Sequence, residues 1–143
     1  MFNVYGPRQS LTNPYQGVLA IFIGNVLRNE PINIYGDGKQ GRDFVHIDDC
    51  IDAIFLAMDN ITDGSAINIG AGRLYSFLEI IDVFAGFAGY QPTIKPLLDK
   101  PVGVHARHSD MSYVLEKYGW TPKISLAEGL KRVYDKAVEN SKN

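Results

Sequence analysis

The stretch "INIYGDGKQGRDFVHIDD", residues 32–49, decides how this chain is read. Gly36-Asp37-Gly38-Lys39-Gln40-Gly41 spells G-x-G-x-x-G, the pattern of a dinucleotide-binding loop. That loop works by opening a helix, whose N-terminal amides and dipole hold a pyrophosphate. Here Gly41 is followed by Arg-Asp-Phe-Val-His, an alternating, aromatic run that predicts a strand. Ile32 to Tyr35 is also strand-like. Residues 36–41 are therefore expected to be the tight turn of a hairpin, with glycines supplying positive φ. Tyr35-x-x-x-Lys39 fails as a catalytic pair for a related reason: the two need one helix face, and Gly-Asp-Gly between them opposes a helix. Arg42 remains. Its planar fork suits a phosphate, but from the residues alone a surface ion pair with Asp43 or Asp48 is the favoured expectation.

The same patterns lay out the rest of the chain. Phe2 to Tyr5 predicts a short strand stopped by Gly6-Pro7, and residues 7–15 read as loop. Val18, Leu19, Ile21, Phe22, Ile23, Val26 and Leu27 predict a helix that is apolar around most of its surface and ends near Asn29, before Pro31. After the strand Asp43 to His46, Asp48 or Asp49 is expected to cap a helix carrying Ile51, Ile54, Phe55 and Met58. Ala66 to Ile69 predicts a strand ended by Gly70-Ala71-Gly72. Ser76-x-x-Glu79 and Ser125-x-x-Glu128 are capping boxes. The first opens a helix to about Gly89, and the second a last helix with Leu126, Leu130, Val133, Tyr134 and Ala137. Thr93 to Lys95 predicts a short strand, 96–109 irregular chain, and Ser112 to Tyr118 a short helix. The alternation marks an α/β chain.

Composition narrows the function. At 143 residues the chain has the size of one domain, and 45% hydrophobic against 21% charged residues is a globular balance. Fourteen basic against sixteen acidic residues leave −2, no footprint for nucleic acid. No apolar run nears the roughly 20 residues of a membrane span. Cys50 is the single cysteine, which excludes an internal disulfide and favours a reducing, cytoplasmic setting. Beside Ile51 and Ile54 it reads as a small core residue. His105-x-x-His108 lies in irregular chain with no third ligand in view, so no metal is expected there. Tyr113-x-x-x-Lys117 is expected on an exposed amphipathic helix. No G-x-S-x-G supports a serine hydrolase, and Phe77, Phe84 and Phe87 read as core.

Four segments stand in a telling order: "FNVYGPRQ", "INIYGDGKQGRDFVHIDD", "INIGAGRLYSFLEII" and "SDMSYVLEKYGWTPKISLAEGLKRV". Together they resemble the C-terminal half of the NAD-dependent nucleotide-sugar epimerase/dehydratase family, the extended short-chain dehydrogenases. The resemblance covers essentially the whole chain. It implies an α/β fold: the C-terminal substrate-binding portion of an extended short-chain dehydrogenase, lacking most of the Rossmann sheet. Residues 1–143 would be a single substrate-binding domain. The family's NAD-binding glycine loop and catalytic Tyr-x-x-x-Lys lie upstream of the segment matching Phe2 to Arg8. The N-terminal NAD-binding half is therefore expected to be absent. No cofactor is expected to be bound by this chain alone and no catalytic residue to be present, while the parent enzyme would use NAD.

The resemblance also implies a ligand and its contacts. The ligand is a nucleotide sugar of the UDP or dTDP type. Asn3 matches an asparagine that reaches the sugar nucleotide from the end of a Rossmann strand. Gln16, Gly17 and Val18 match the start of a helix lining the nucleotide pocket. Asn33 and Tyr35 match the strand that meets the pyrimidine, with Tyr35 packing on the ring and backbone near Asn33 pairing with its edge. Arg42 matches an arginine that contacts the diphosphate. Lys100, in Lys100-Pro101-Val102-Gly103, stands where the family often has a further arginine, and a lysine there keeps the charge but loses the fork. The strands Phe2 to Tyr5 and Ala66 to Ile69 would carry open edges and an uncovered apolar face, so a homo-oligomer or packing against an NAD-binding half is expected. Two other readings stay open: a non-catalytic truncated product serving as a binding or oligomerisation module, and a fragment of a 4,6-dehydratase or reductase.

Overall fold

Residues 1–13, 15 and 17–140 are described by the structure, a computed structural model. The strands are β1 (Asn3–Tyr5), β2 (Ile32–Tyr35), β3 (Gly41–Arg42), β4 (Phe44–His46), β5 (Tyr75–Ser76), β6 (Ile94–Leu97) and β7 (Ala106–Arg107). The helices are α1 (Val18–Leu27), α2 (Ile47–Asn60), α3 (Phe77–Ala88), α4 (Ser112–Tyr118) and α5 (Leu126–Asn140). The strands form three small sheets: β1 beside β4, β2 beside β6, and β3 between β5 and β7. Among the described residues no helix is long and apolar enough to cross a membrane.

The expected hairpin does not form. Gly36 and Gly38 do take positive φ, 78° and 79°. The chain beyond them leaves β2, however, and enters other sheets. β2 pairs in parallel with β6, Ile32 opposite Ile94, while β4 pairs in parallel with β1, Asn3 opposite Phe44. The turn glycines fix the direction of the chain but not which strand receives it. Ala66 to Ile69 is likewise not a ladder strand; Phe2 N–H, just before β1, donates to Ile69 C=O at 2.8 Å. The segment expected to be irregular over 96–109 contains β7, which pairs in parallel with β3.

Period two explains the core. On β1 and β4, Tyr5 and Phe44 face a cluster with α1, α3 and α5 that includes Phe22, Ile23, Ile80, Phe84 and Leu130. Val4 and Val45 face the opposite cluster, with Cys50, Ala53, Ile69, Val114 and Trp120. This two-stranded parallel sheet is thus covered on both faces, as parallel sheets require. Cys50 lies in the core as expected. Phe84 is fully buried, and Phe87 packs on it edge-on at 5.7 Å. The stripe Ile51, Ile54, Phe55 and Met58 turns outward, and α2 buries Asp49, Cys50 and Ala53 instead.

Three capping expectations resolve differently. Ser76 and Glu79 complete both halves of their box. At α5, Glu128 N–H reaches Ser125 Oγ at 3.3 Å, but the Glu128 carboxylate turns to Arg132. At α2 the cap is His46 rather than an aspartate: Asp48 N–H donates to His46 Nδ1 at 3.2 Å. Asp49 is buried and accepts the N–H groups of Lys123 and Ile124 at 3.0 and 2.9 Å, tying α2 to the approach to α5. Packing decides here, because the imidazole fills space against the Tyr5 ring, 5.4 Å away.

Asp43, fully buried, is the strongest polar anchor. Its carboxylate accepts from Ala71 N–H at 2.7 Å, Gly72 N–H at 3.0 Å, Ser109 N–H at 2.9 Å and the Ser109 hydroxyl at 2.5 Å. Asp43→Asn turns an acceptor into a donor facing one of these N–H groups. The expected loss of stability is about 2–4 kcal/mol. It is read as a shift of the urea midpoint, and a variant within about 0.5 kcal/mol of wild type would contradict the anchor role.

Burial pushes the His46 imidazole below its ordinary value of 6.5, against the pull of Asp48, 3.5 Å away. The unfolded chain then takes up a proton that the folded chain resists. Stability from this group is full above about pH 6.5 and falls as the pH drops through the folded value. His46→Asn keeps an N-cap acceptor without a titrating ring. Urea midpoints at about pH 7.5 and pH 5.5 are expected to differ less in the variant than in wild type.

Candidate functional site

α1 starts at Val18 with Gly17 as its N-cap, and its sequence is apolar enough to present one face to the core and another to a cavity. β2 alternates: Ile32 and Ile34 are buried, Asn33 and Tyr35 exposed. Ile32 N–H bonds Thr93 C=O and Gly36 N–H bonds Leu97 C=O, so the even residues of β2 address β6. The backbone groups of Asn33 and Tyr35 therefore point to the other edge. There the Gln40 side-chain amide donates to Tyr35 C=O at 2.6 Å and braces the strand end.

Together these elements enclose a cavity of about 520 Å³, within the range of small-molecule sites. Val18, Ile21, Phe22, Tyr35 and Phe77 give it mainly apolar walls, and Asn33, Gln40 and Arg42 its polar ones. A second cavity of about 540 Å³ is lined by Phe2, Asn3, Arg42, Asn68, Val104 and Arg107. Arg42 belongs to both and stands where they meet. One of its N–H groups goes to Gly41 C=O at 2.8 Å. The alternative of a surface ion pair is not realised: Asp43 is turned inward, and Asp48 lies 3.3 Å from Arg132.

The structure thus brings Val18, Asn33, Tyr35 and Arg42 to one cavity and Asn3 and Arg42 to the other. Asn3 also donates to Asp43 C=O at 2.6 Å, so its side chain bridges β1 to β4. Gly17 sits at the start of α1, beside Asn3 and Phe44 in a smaller cleft. Gln16 lies outside the described residues. Lys100 lines neither main cavity, and its ammonium lies 3.6 Å from the Asp99 carboxylate. Phe77, expected in the core, is also a cavity wall. Arg107 was missed by sequence reading. It lies between two histidines in a stretch without periodicity, and only the pairing of β7 with β3 brings it to Arg42.

The decoys have plain structural roles. The Gly36–Gly41 loop runs into β3, so its glycines present no helix N-terminus and this chain's residues form no dinucleotide cradle there. Tyr113 and Lys117 lie on α4, and the ammonium donates to the phenol oxygen at 2.9 Å. That bond lowers the phenol's pKa, but neither residue lines a main cavity. His105 and His108 flank β7 three residues apart, so along an extended chain they face opposite ways. Among the described residues no group of three or more His, Cys, Asp or Glu could hold a metal ion.

Comparison with known proteins gives a consistent result. The profile of the NAD dependent epimerase/dehydratase family matches residues 1–70. UDP-glucuronic acid decarboxylase 1 of Arabidopsis thaliana is 34% identical over 133 residues, 93% of this chain and 30% of that protein. Decarboxylation is a chemistry that the sequence reading did not weigh. The crystal structure of UDP-glucose 4-epimerase from Thermotoga maritima, with UDP-glucose, superposes with a TM-score of 0.85 at 37% identity, covering 98% of this chain and 45% of that one. UDP-glucuronic acid 4-epimerase from Bacillus cereus, in complex with UDP-glucuronic acid and NAD, gives 0.85 at 33% identity, with 97% and 44% covered. The chain spans less than half the length of each of these proteins.

The turn that carries the decoy motif leads into Gln40 and Arg42, which line the first cavity. Gly38 has φ 79°, and a Cβ there would sit 2.9 Å from Leu78 Cδ2. Gly38→Ala is expected to cost about 1–2 kcal/mol from the left-handed backbone alone, measured by urea unfolding. An unchanged midpoint would mean that the turn is not held as described.

Proposed function

We propose that this chain, which matches the NAD-dependent epimerase/dehydratase family over residues 1–70 and resembles its solved members, forms over residues 1–143 a substrate-binding domain for a nucleotide sugar of the UDP or dTDP type. The observation that carries this reading is Arg42, a guanidinium without a carboxylate partner among the described residues, at the junction of an apolar and a polar cavity. A nucleoside diphosphate sugar has the same order of parts. The pyrimidine would lie against Tyr35 and between Val18, Phe22 and Phe77, with its edge toward the backbone at Asn33. The diphosphate would meet the fork of Arg42, which binds such oxygens bidentately. The sugar would enter the polar cavity beside Asn3 and Asn68.

The parent enzyme in this reading is an NAD-dependent epimerase such as UDP-glucose 4-epimerase, whose pattern the sequence follows. Hydride would pass from the sugar to NAD and back, with the cofactor and a tyrosine base supplied from outside this chain. The present residues would bind and orient the substrate, which is where remote binding energy is used. Because the Gly36–Gly41 loop opens no helix and so forms no cradle for NAD, the chain is expected to turn over no nucleotide sugar alone. The outward apolar stripe of α2, Ile51, Ile54, Phe55 and Met58, supports a further expectation, that protein packs there, either an NAD-binding half or a second copy.

Calorimetric titration of the chain with UDP tests the reading. Saturable binding is expected, weakened about 10-fold or more in Arg42→Ala, the usual loss for a hydrogen-bonded charge. UDP binding that is indifferent to Arg42, or sustained epimerisation by the purified chain with added NAD, would refute it.

A further inference from the structure

We propose that Arg107 is the second guanidinium of the phosphate site and that it does the work the sequence pattern assigns to Lys100; this rests on the nucleoside-diphosphate reading above. β3 is the central strand of its sheet, and the parallel register sets Arg42 directly opposite Arg107. Residues opposite in register stand on the same face of a sheet. Both side chains line the polar cavity of about 540 Å³. Among the described residues neither arginine is in an ion pair. The buried carboxylate nearest in sequence, Asp43, is committed to Ala71, Gly72 and Ser109. Two like charges directly opposite one another destabilise a sheet. An anion with several oxygens between them reverses the sign of that term and matches two forks at once.

The backbone at Arg107 is held firmly. Gly41 N–H donates to His105 C=O at 2.8 Å, and Asp43 N–H to Arg107 C=O at 3.2 Å. Two residues on, Ser109 is locked to the Asp43 carboxylate. Arg107 is therefore pre-set beside Arg42 before any ligand arrives. Lys100 is not. It sits in a turn closed by its own N–H to Leu97 C=O at 3.2 Å, with its ammonium on Asp99 and outside both main cavities. Ten residues before Asp110, where the family resemblance implies an arginine, the chain has Lys100, and Arg107, three residues before Asp110, stands at the cavity.

The test titrates the 143-residue chain with UDP and, separately, with uridine. Arg107→Ala is expected to weaken UDP about 10- to 100-fold and to leave uridine unchanged, because only UDP carries the phosphates. Arg107→Lys should recover part of the loss, and Lys100→Ala should bind UDP within about twofold of wild type. The thermal midpoint of Arg107→Ala should be equal to wild type or higher, since a like-charge pair is relieved. If Arg107→Ala binds UDP as wild type does while Arg42→Ala does not, the inference falls and the nucleotide reading stands. If Arg107→Ala loses both ligands together with its thermal midpoint, the residue is structural and the inference also falls. If the wild-type chain binds neither ligand, both the reading and the inference are overturned.

Discussion

A buried carboxylate organises this molecule. Asp43 accepts four hydrogen bonds from residues 71, 72 and 109, and its own carbonyl and N–H bind Asn3 and Arg107. Burying a charge is tolerable only when its oxygens are satisfied in this way. The donors come from segments that form little regular structure of their own, so the carboxylate substitutes for a missing ladder. Gly70 follows from the same constraint, because a Cβ there would come within 2.8 Å of Asp43 Oδ2 and closer still to Ser109. The residue before Asp43 is Arg42. Fixing Asp43 inward fixes Arg42 outward, since neighbours along an extended strand face opposite ways.

That alternation produces the division of the site. Apolar residues of α1 and the face of β2 make one chamber, and the ends of β1 and β7 make the other, with Arg42 between them. The apolar chamber is walled on one side by α1, β2 and the start of α3, elements that also contribute to the core, whereas the polar chamber takes Phe2, Asn68 and Val104 from segments outside helix and strand. The lining of the first chamber is mainly apolar, from Val18, Ile21, Phe22 and Phe77. The polar chamber suits groups that keep hydrogen bonds, such as sugar hydroxyls.

Reading the sequence was most reliable where the signal was local. The apolar run of α1, the box at Ser76 and Glu79, the short α4 and the strand character of β2 and β4 all depend on neighbours within a few residues. It misjudged partners. The hairpin expected across Gly36–Gly41 assumed that adjacent strands pair, whereas β2 went to β6 and β4 to β1. The α2 cap was assigned to an aspartate by propensity, yet His46 took it, because the Tyr5 ring left a site for an imidazole and Asp49 was needed to hold residues 123 and 124. Arg107 could not be seen at all, for β7 has two residues and no period.

The sequence by itself determined the α/β class, the boundaries of the larger helices, the rejection of the glycine decoy and the family resemblance, since each is carried by local spacing or by a long ordered set of motifs. The tertiary structure alone decided which strands pair, that Arg42 escapes its neighbouring carboxylates, and that Arg107 rather than Lys100 stands beside it. The physical reason is separation along the chain. The contacts that make those decisions join residues 40 to 66 positions apart, and no periodicity encodes a contact of that range. It exists only once the core has brought the strands together.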